Sequence, residues 1–170
     1  MNVNQSTKRR GFSLVELVIV IVIIGVIAAI AVPRISRGAK GAGAASVRGS
    51  LAGLRNSIDM FAAEHGGVFP ASKTVNTEAE FLSQLLNKTD FAGVVGTTAG
   101  THIYGPYLRG GLPPCPVGPN AGVKGLTLAA TGPVVNEALT TIGWVYNYVT
   151  GDLIVNTDDL DEKGNGFDTY

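Results

Sequence analysis

The sequence predicts an α+β fold, in which a long N-terminal helix packs against a small C-terminal antiparallel sheet. Three observations predict it. Residues 12–32 form an apolar run, residues 47–61 carry an apolar stripe at helical spacing, and residues 143–157 alternate in hydropathy around a turn. We therefore divide the chain into a basic leader (residues 1–11), a transmembrane helix (12–32) and a globular domain (33–170).

The apolar run contains one carboxylate. As a helix, residues 12–32 would be roughly 31 Å long, about the thickness of the hydrocarbon core of a bilayer. Glu16 is the only charged residue in the run, and Ser13 is the only other strongly polar one. A carboxylate within lipid costs about 2.5–3.5 kcal/mol on insertion scales. Glu16 should therefore either find a partner or lie hydrated at the headgroup level.

Two common kinds of N-terminal segment, a secretory signal and a plain transmembrane anchor, do not explain this carboxylate. An ordinary secretory signal would be cleaved after Ala31, but its apolar core is usually about 7–15 residues long and uncharged. A plain transmembrane anchor accounts for the length of the run. It explains neither Glu16 nor Gly11, which separates the basic cluster from Phe12.

The stretch KRRGFSLVELVIVIVIIGVIAAIAVP, residues 8–33, resembles the N-terminus of type IV pilins and type II secretion pseudopilins. The resemblance implies that a prepilin peptidase cuts between Gly11 and Phe12 and methylates the new amine of Phe12. It also implies that Glu16, the fifth residue of the mature chain, meets the terminal amine of a neighbouring subunit. Pro33 lies where many members of the family also have a proline.

Elementary electrostatics is consistent with this pairing. The freed amine of Phe12 is a cation before burial acts on it, and a cation and a carboxylate attract strongly in a low dielectric. Phe12 and Glu16 are four residues apart, so a pair within one chain is the alternative to a pair between subunits.

The count of positive charges does not by itself determine the orientation of the helix in the membrane. Basic residues lie on both sides of the apolar run: Lys8, Arg9 and Arg10 before it, and Arg34, Arg37 and Lys40 after it. The cluster in the leader is tighter and precedes the first segment. We therefore expect a single pass through the inner membrane, with a cytoplasmic leader and the rest in the periplasm or in a surface filament.

The helix is predicted to continue beyond the apolar run. Apolar residues recur at steps of three and four: Val47, Leu51, Leu54, Ile58 and Phe61. Gly66-Gly67 predicts the end of this helix, and Pro70 prevents its resumption. Pro33 removes one backbone hydrogen bond, so a kink is predicted there. The glycines at 38, 41, 43 and 49 are consistent either with close helix packing or with a flexible neck.

Shorter elements are predicted after the long helix. Thr77 to Glu80 form a capping-box pattern before a short helix that places Phe81, Leu82, Leu85 and Leu86 inward. Residues 90–125 are rich in Gly and Pro and predict an irregular loop. Within it, GPYLRGGLPPCPVG (105–118) resembles a loop of the major type II pseudopilins. Cys115 stands here where that family usually has an aspartate.

The predicted sheet contains a hairpin. Two strand patterns flank Thr150-Gly151-Asp152, and Trp144, Tyr146 and Tyr148 share one face of the first strand, which indicates core packing. No phosphate-binding loop, dinucleotide fingerprint, nucleophile elbow or HExxH motif is present, so we predict no enzyme. The formal net charge of zero gives no reason to expect nucleic acid as a partner.

The end of the sequence is acidic. Clustered carboxylates with glycine turns are typical of calcium loops, and Asp158, Asp159 and Asp161 are the candidate ligands. The resemblance strengthens this hypothesis, because major pseudopilins bind calcium in a C-terminal loop. An EF-hand frame does not fit, since it would place Lys163 and Tyr170 at ligand positions. A solvated acidic edge without a cofactor is the alternative.

Taken with the resemblance, these observations predict a structural subunit of a pilus-like filament, specifically a type II secretion pseudopilin that helps to export folded proteins. A type IV pilin for adhesion or motility is the alternative within the class, and a monomeric membrane-anchored binding protein is the alternative outside it. The implied partners are other copies of the chain, other pilin-like subunits, the prepilin peptidase and an inner-membrane assembly platform. The secreted substrate, filament length and major or minor status do not follow from the sequence.

Overall fold

The computed structural model describes residues 11–73 and 75–170. Along this part of the chain lie five regular elements: α1 (Leu14–Glu64), α2 (Glu78–Leu86), β1 (Gly125–Ala129), β2 (Ile142–Asn147) and β3 (Leu153–Val155). A short 3-10 helix, Phe167–Thr169, follows them. The predicted α+β class, with a long N-terminal helix and a small sheet, is confirmed.

The chain divides into two compact units, Met1–Ala39 and Lys40–Tyr170. Helix α1 contributes residues to both units. The predicted transmembrane segment 12–32 lies within the first unit. The predicted globular domain begins at residue 33, which is earlier than the start of the second unit.

The C-terminal half of α1 buries one face in the second unit. All five residues of the predicted stripe are at most 1 % exposed: Val47, Leu51, Leu54, Ile58 and Phe61. Helix α1 ends where the glycines predicted it, because Gly66 and Gly67 adopt positive φ angles of 68° and 83°. The Gly67 N–H then bonds the Ala62 carbonyl at 2.8 Å, which satisfies one of the last helical carbonyls.

The glycines on α1 differ in their surroundings. A Cβ added at Gly43 would lie 2.8 Å from Cγ1 of Val117, and one at Gly41 would lie 3.3 Å from Oε2 of Glu162. A Cβ added at Gly38 or Gly49 would meet nothing within 4 Å. Close packing within the second unit therefore explains Gly43, and it leaves Gly38 and Gly49 unexplained.

Helix α2 begins at the predicted cap. The Thr77 hydroxyl accepts a 3.3 Å hydrogen bond from the Glu80 N–H, and Phe81 and Leu85 are fully buried. The Glu80 carboxylate bonds the Gln84 side chain at 3.0 Å, a different partner from the one a complete capping box would give it. The predicted inward face is confirmed for Phe81 and Leu85, whereas Leu82 and Leu86 are only partly buried.

The sheet has the order β1-β2-β3 and is mixed. Strands β2 and β3 pair antiparallel, which confirms the predicted hairpin around Gly151. Strand β1 pairs parallel to β2, so the prediction of a purely antiparallel sheet is wrong for this strand. The physical reason is the connection 130–141, which carries the chain back to the starting end of the sheet before β2 begins.

Aromatic side chains of the central strand β2 form the middle of the core. Trp144 and Tyr146 are fully buried, as predicted, and Tyr146 packs on Phe81 of α2 with ring centroids 4.6 Å apart. Both polar atoms are satisfied, since Nε1 of Trp144 donates to the Pro113 carbonyl and the Tyr146 hydroxyl donates to the Pro70 carbonyl. These bonds tie irregular segments to the sheet.

Candidate processing and assembly site

The N-terminal end of the described chain places the predicted cleavage bond outside any helix. Gly11, Phe12 and Ser13 precede α1, which begins at Leu14, and the Phe12 side chain is 83 % exposed. A protease binds extended backbone, and glycine adds no side chain to obstruct it. The non-helical backbone at Gly11 and Phe12 is consistent with a cleavage bond there, and cleavage stays a prediction. The rest of the predicted leader, residues 1–10, lies outside the described residues.

The helix that follows is apolar on every face. Leu14–Val32 is long and apolar enough to cross a membrane, and none of it is buried within the chain. Isoleucine side chains that are more than half exposed occur along the segment, for example Ile19, Ile24 and Ile30. A helix that is hydrophobic all round needs an apolar environment, which lipid or the helices of other subunits supply.

Glu16 has a local partner in this structure. Its Oε2 accepts a 3.0 Å hydrogen bond from the Ser13 N–H, while the Ser13 hydroxyl accepts a 3.3 Å bond from the Val15 N–H. This is a variant of the capping box, with Ser13 as the N-cap and Glu16 three positions later, in which the Ser13 hydroxyl bonds the Val15 N–H rather than the Glu16 N–H. Two backbone donors that the start of a helix leaves without partners are thereby satisfied.

The sequence contained the signal for this cap. Ser13-Leu14-Val15-Glu16 is the same S/T-x-x-E pattern that predicted the start of α2 at Thr77. This role was not predicted, because a carboxylate in an apolar run first suggests an unpaired charge rather than a helix cap. The box also agrees with charge placement, since a carboxylate in the first turn of a helix is stabilised by the helix dipole.

Pro33 lies inside α1, which continues as a helix on both sides of it. The kink predicted at this proline stays a prediction. Arg34 beyond it is exposed, as expected for a basic residue that follows an apolar run.

Comparison with known proteins gives a match at the N-terminus of the chain. A family model, the prokaryotic N-terminal methylation motif, matches residues 6–32. The chain carries the signal motif of type IV pilins and pseudopilins. The methylation motif covers Gly11, Phe12 and Glu16 but none of the second unit. No curated protein and no solved structure matches this chain.

The methylation motif indicates the general class of the protein, its processing and its membrane anchor. It supports a type IV pilin-like or pseudopilin subunit, and so a structural protein rather than an enzyme. It implies processing by a prepilin peptidase and assembly with other pilin subunits. The single N-terminal apolar helix fits a single-pass membrane anchor for such a subunit.

The candidate calcium ligands are not brought together. Asp158 and Asp159 are exposed, whereas Asp161 is only 5 % exposed. Among the described residues, no group of three or more His, Cys, Asp or Glu side chains is placed to hold a metal ion. No preformed calcium site is therefore present among the described residues, and calcium binding by these carboxylates is left to the experiment described in the Discussion.

Asp161 instead organises the C-terminal loop. Its Oδ1 accepts hydrogen bonds from the Lys163 and Asn165 N–H groups at 2.7 and 2.9 Å. Its Oδ2 accepts from the Tyr170 hydroxyl at 2.6 Å and from the Asn165 side chain at 3.2 Å. The hydrogen bond from Tyr170, followed by those from Asn165 and Lys163, holds the pKa of Asp161 well below its usual range. This carboxylate is charged and largely saturated by protein donors.

Two arginines of α1 hold the same loop. The Arg48 guanidinium lies over the Tyr170 ring, 4.4 Å from its centroid, and 3.9 Å from Oδ2 of Asp161. Arg55 donates to the backbone carbonyls of Tyr170 and Leu153 at 2.6 and 2.7 Å. We call Arg48, Arg55, Asp161 and Tyr170 the C-terminal clasp. It holds the loop against α1.

A histidine and a cysteine, residue types that often act in catalysis, are buried in this structure. Buried His65 stacks on Phe61, and its two ring nitrogens lie within hydrogen-bond distance of the Phe61 carbonyl and the Thr89 hydroxyl. Cys115 is 1 % exposed, burial raises the pKa of its thiol, and its Sγ donates to the Val117 carbonyl. A neutral, enclosed thiol is a poor nucleophile.

Proposed function

We propose that this protein is a structural subunit of a pilus-like filament that is cleaved after Gly11, methylated on Phe12 and anchored by residues 12–32. The observation that carries the proposal is an apolar helix, exposed along its length, that begins with a carboxylate inside a methylation motif. Helices of this kind bury their side chains only in lipid or against one another. Assembly into a filament uses both environments in turn.

Within this class we propose a type II secretion pseudopilin, whose short filament helps to export folded proteins. The support is the loop 105–118, which resembles a loop of the major pseudopilins. Within the second unit, this loop is hydrogen-bonded to α2. The N–H groups of Tyr107 and Leu108 both bond the Leu85 carbonyl at 2.9 Å. Cys115 stands where that family has an aspartate, which weakens the assignment to the major pseudopilin subunit. A type IV pilin is the alternative within the class.

One observation favours a monomeric membrane-anchored protein. The capping box gives Glu16 a partner within its own chain, so the carboxylate does not depend on a second subunit for every hydrogen bond. Among the described residues, however, no cation forms an ion pair with Glu16. Desolvating an uncompensated charge remains costly, which is why we prefer assembly.

The experiment that tests the proposal is expression of the full chain in its own cells, followed by shearing and pelleting of surface filaments. We expect processed protein in the filament fraction, with intact mass showing loss of residues 1–11 and one added methyl group. Recovery of all processed protein from the membrane as monomer would support the binding-protein alternative. Deletion of the gene should abolish export of secreted enzymes for a pseudopilin and twitching or adhesion for a pilin.

A further inference from the structure

The loop that the C-terminal clasp holds contains an Asn-Gly pair, Asn165-Gly166, and the sequence has no other such pair. The backbone nitrogen that follows an asparagine can attack the side-chain carbonyl carbon, Cγ, because the two atoms close a five-membered ring. A side chain on the following residue hinders this attack, and glycine has none. Asn165 is therefore the asparagine of this chain whose sequence context most favours ring closure.

The structure leaves the reacting groups of this pair accessible. Asn165 is exposed, so water reaches its side-chain amide. The Asn165 N–H bonds Oδ1 of Asp161 at 2.9 Å, and the Phe167 N–H bonds the Asp159 carbonyl at 3.0 Å. Between them, the Gly166 N–H makes no hydrogen bond with any described residue. The attacking nitrogen thus lacks the bonds that hold its two neighbours in place.

The packing of the loop favours both residues of the pair. A Cβ on Gly166 would overlap Oδ1 of Asp168, so a larger residue would displace that carboxylate. The side-chain nitrogen of Asn165 donates to Oδ2 of Asp161 at 3.2 Å, which an ionised aspartate at position 165 could not do. The contacts that organise the loop therefore call for the same two residues that make it reactive.

We propose that Asn165 is a site of spontaneous deamidation and that this modification loosens the C-terminal clasp. In the first step the Gly166 nitrogen bonds Cγ of Asn165 and loses its proton, and the side-chain NH₂ takes up a proton and leaves as ammonia. In the second step water opens the resulting cyclic imide. The product is aspartate or isoaspartate, according to which imide carbonyl the water attacks. The site lies in the second unit, so the proposal is independent of the filament function.

Either product disturbs the contacts of Asp161. Aspartate places a second carboxylate beside Oδ2 of Asp161, where a donor lay before, and the two like charges repel. Isoaspartate also adds a methylene group to the backbone, which shifts the Asn165 carbonyl from the Asp161 N–H that it now accepts at 2.8 Å. Because Asp161 contacts both Arg48 and Tyr170, either product weakens the hold of the loop on α1.

The first arm of the test measures conversion at individual asparagines. The purified full chain is kept in detergent at physiological temperature and pH, and samples taken over weeks are digested in acid and mapped by mass spectrometry. Exchange of NH₂ for OH raises the mass of the peptide, and fragmentation assigns the change to a residue. The control is Asn87, which is also exposed but is followed by Lys88. We expect Asn165 to convert severalfold faster than Asn87, and equal conversion would overturn the site.

The second arm measures the effect on the clasp by thermal melts of the full chain. Asn165→Asp has the sequence of one product, whereas Asn165→Gln keeps an amide that would have to close a less favourable six-membered ring. We expect Asn165→Asp to melt several degrees below the wild type. The wild type should approach that melting temperature as it ages, while Asn165→Gln keeps its own initial value. An Asn165→Asp variant that melts with the wild type, or an equal decline of wild type and Asn165→Gln with age, would overturn the loosening of the clasp.

Discussion

The Tyr170 hydroxyl donates a 2.6 Å hydrogen bond to the carboxylate of Asp161. The same ring lies under the Arg48 guanidinium of α1. The hydrogen bond from Tyr170 is the largest cause of the lowered pKa of Asp161, and the Asp161 carboxylate in turn raises the pKa of Tyr170. The pair is therefore a charged acceptor with a neutral donor across the whole ordinary pH range.

The first prediction concerns acid. Because the pKa of Asp161 is lowered by folding, the carboxylate stabilises the native state above its unfolded pKa of about 3.9, and this contribution is lost as pH falls below that value. Asp161→Asn should lower the melting temperature at pH 7 and flatten its decline between pH 5 and pH 2.5. Thermal melts of the full chain in detergent measure both effects.

The exposed Asp158 provides the control, since Asp158→Asn should keep the wild-type decline. Tyr170→Phe keeps the ring beneath Arg48 but removes the main cause of the shift. In that variant the pKa of Asp161 lies closer to its unfolded value, so the acid decline should be smaller than in the wild type. Equal acid profiles for wild type, Asp161→Asn and Tyr170→Phe would show that the clasp does not set the stability of the loop.

The second prediction concerns calcium. If Asp158, Asp159 and Asp161 bound the ion in the native state, excess calcium would raise the melting temperature. At a hundredfold excess over Kd, binding would add about 2.7 kcal/mol to the free energy of unfolding. Asp161 already accepts hydrogen bonds on both oxygens. We therefore expect the same melting temperature with millimolar calcium and with chelator. A rise with calcium that Asp159→Asn abolishes would establish the metal site that the sequence predicted.

The third prediction compares two glycines of α1. An alanine is about 0.5–1 kcal/mol better than glycine within a helix. Gly49→Ala should gain stability of this order, because an added Cβ meets nothing within 4 Å. Gly43→Ala should gain less or lose stability, because its Cβ would lie 2.8 Å from Cγ1 of Val117. Denaturant unfolding of the two variants measures the difference, and equal gains would contradict the close packing at Gly43.

The fourth prediction concerns processing. Gly11→Val places a branched side chain at the cleavage bond and should leave the leader attached, while Gly25→Ala, a control in the middle of the apolar helix, should be processed normally. Intact mass of the membrane-extracted protein distinguishes the two. A wild-type chain that begins at Met1, or at Val32 after cleavage behind Ala31, would contradict processing between Gly11 and Phe12.

Local patterns made much of the fold predictable. The stripe from Val47 to Phe61, the stop at Gly66 and the hairpin around Gly151 each depend on residues close together in the chain, and each is confirmed. Strand β1 was not predicted, because it is a short edge strand that pairs, among the described residues, with β2 alone, beyond the connection 130–141. Its own alternation buries one residue, Leu126.

The processing site could be predicted from the sequence, whereas the C-terminal clasp could not. The processing bond and Glu16 were recognised from a dense local motif, and the cap at Ser13 was equally local but was overlooked. The clasp could not be predicted from local patterns, because it joins Arg48 and Arg55 of α1 to residues more than ninety positions later. An acidic run looks solvated until its partners are known, and only the fold shows that Asp161 is buried among them.

The central claim is that the Glu16 charge serves assembly between subunits. Without Glu16, burying the Phe12 amine of a neighbour would leave that cation unpaired. Glu16→Leu should therefore insert and be processed, Glu16→Asp should assemble in part, and the control Leu17→Ile should assemble normally. The decisive measurement is the fraction of processed Glu16→Leu protein, verified by intact mass, that pellets with sheared filaments when it is the only copy in the cell. We predict that it remains in the membrane as processed monomer; filaments of Glu16→Leu at the wild-type level would contradict the account and assign Glu16 to capping its own helix.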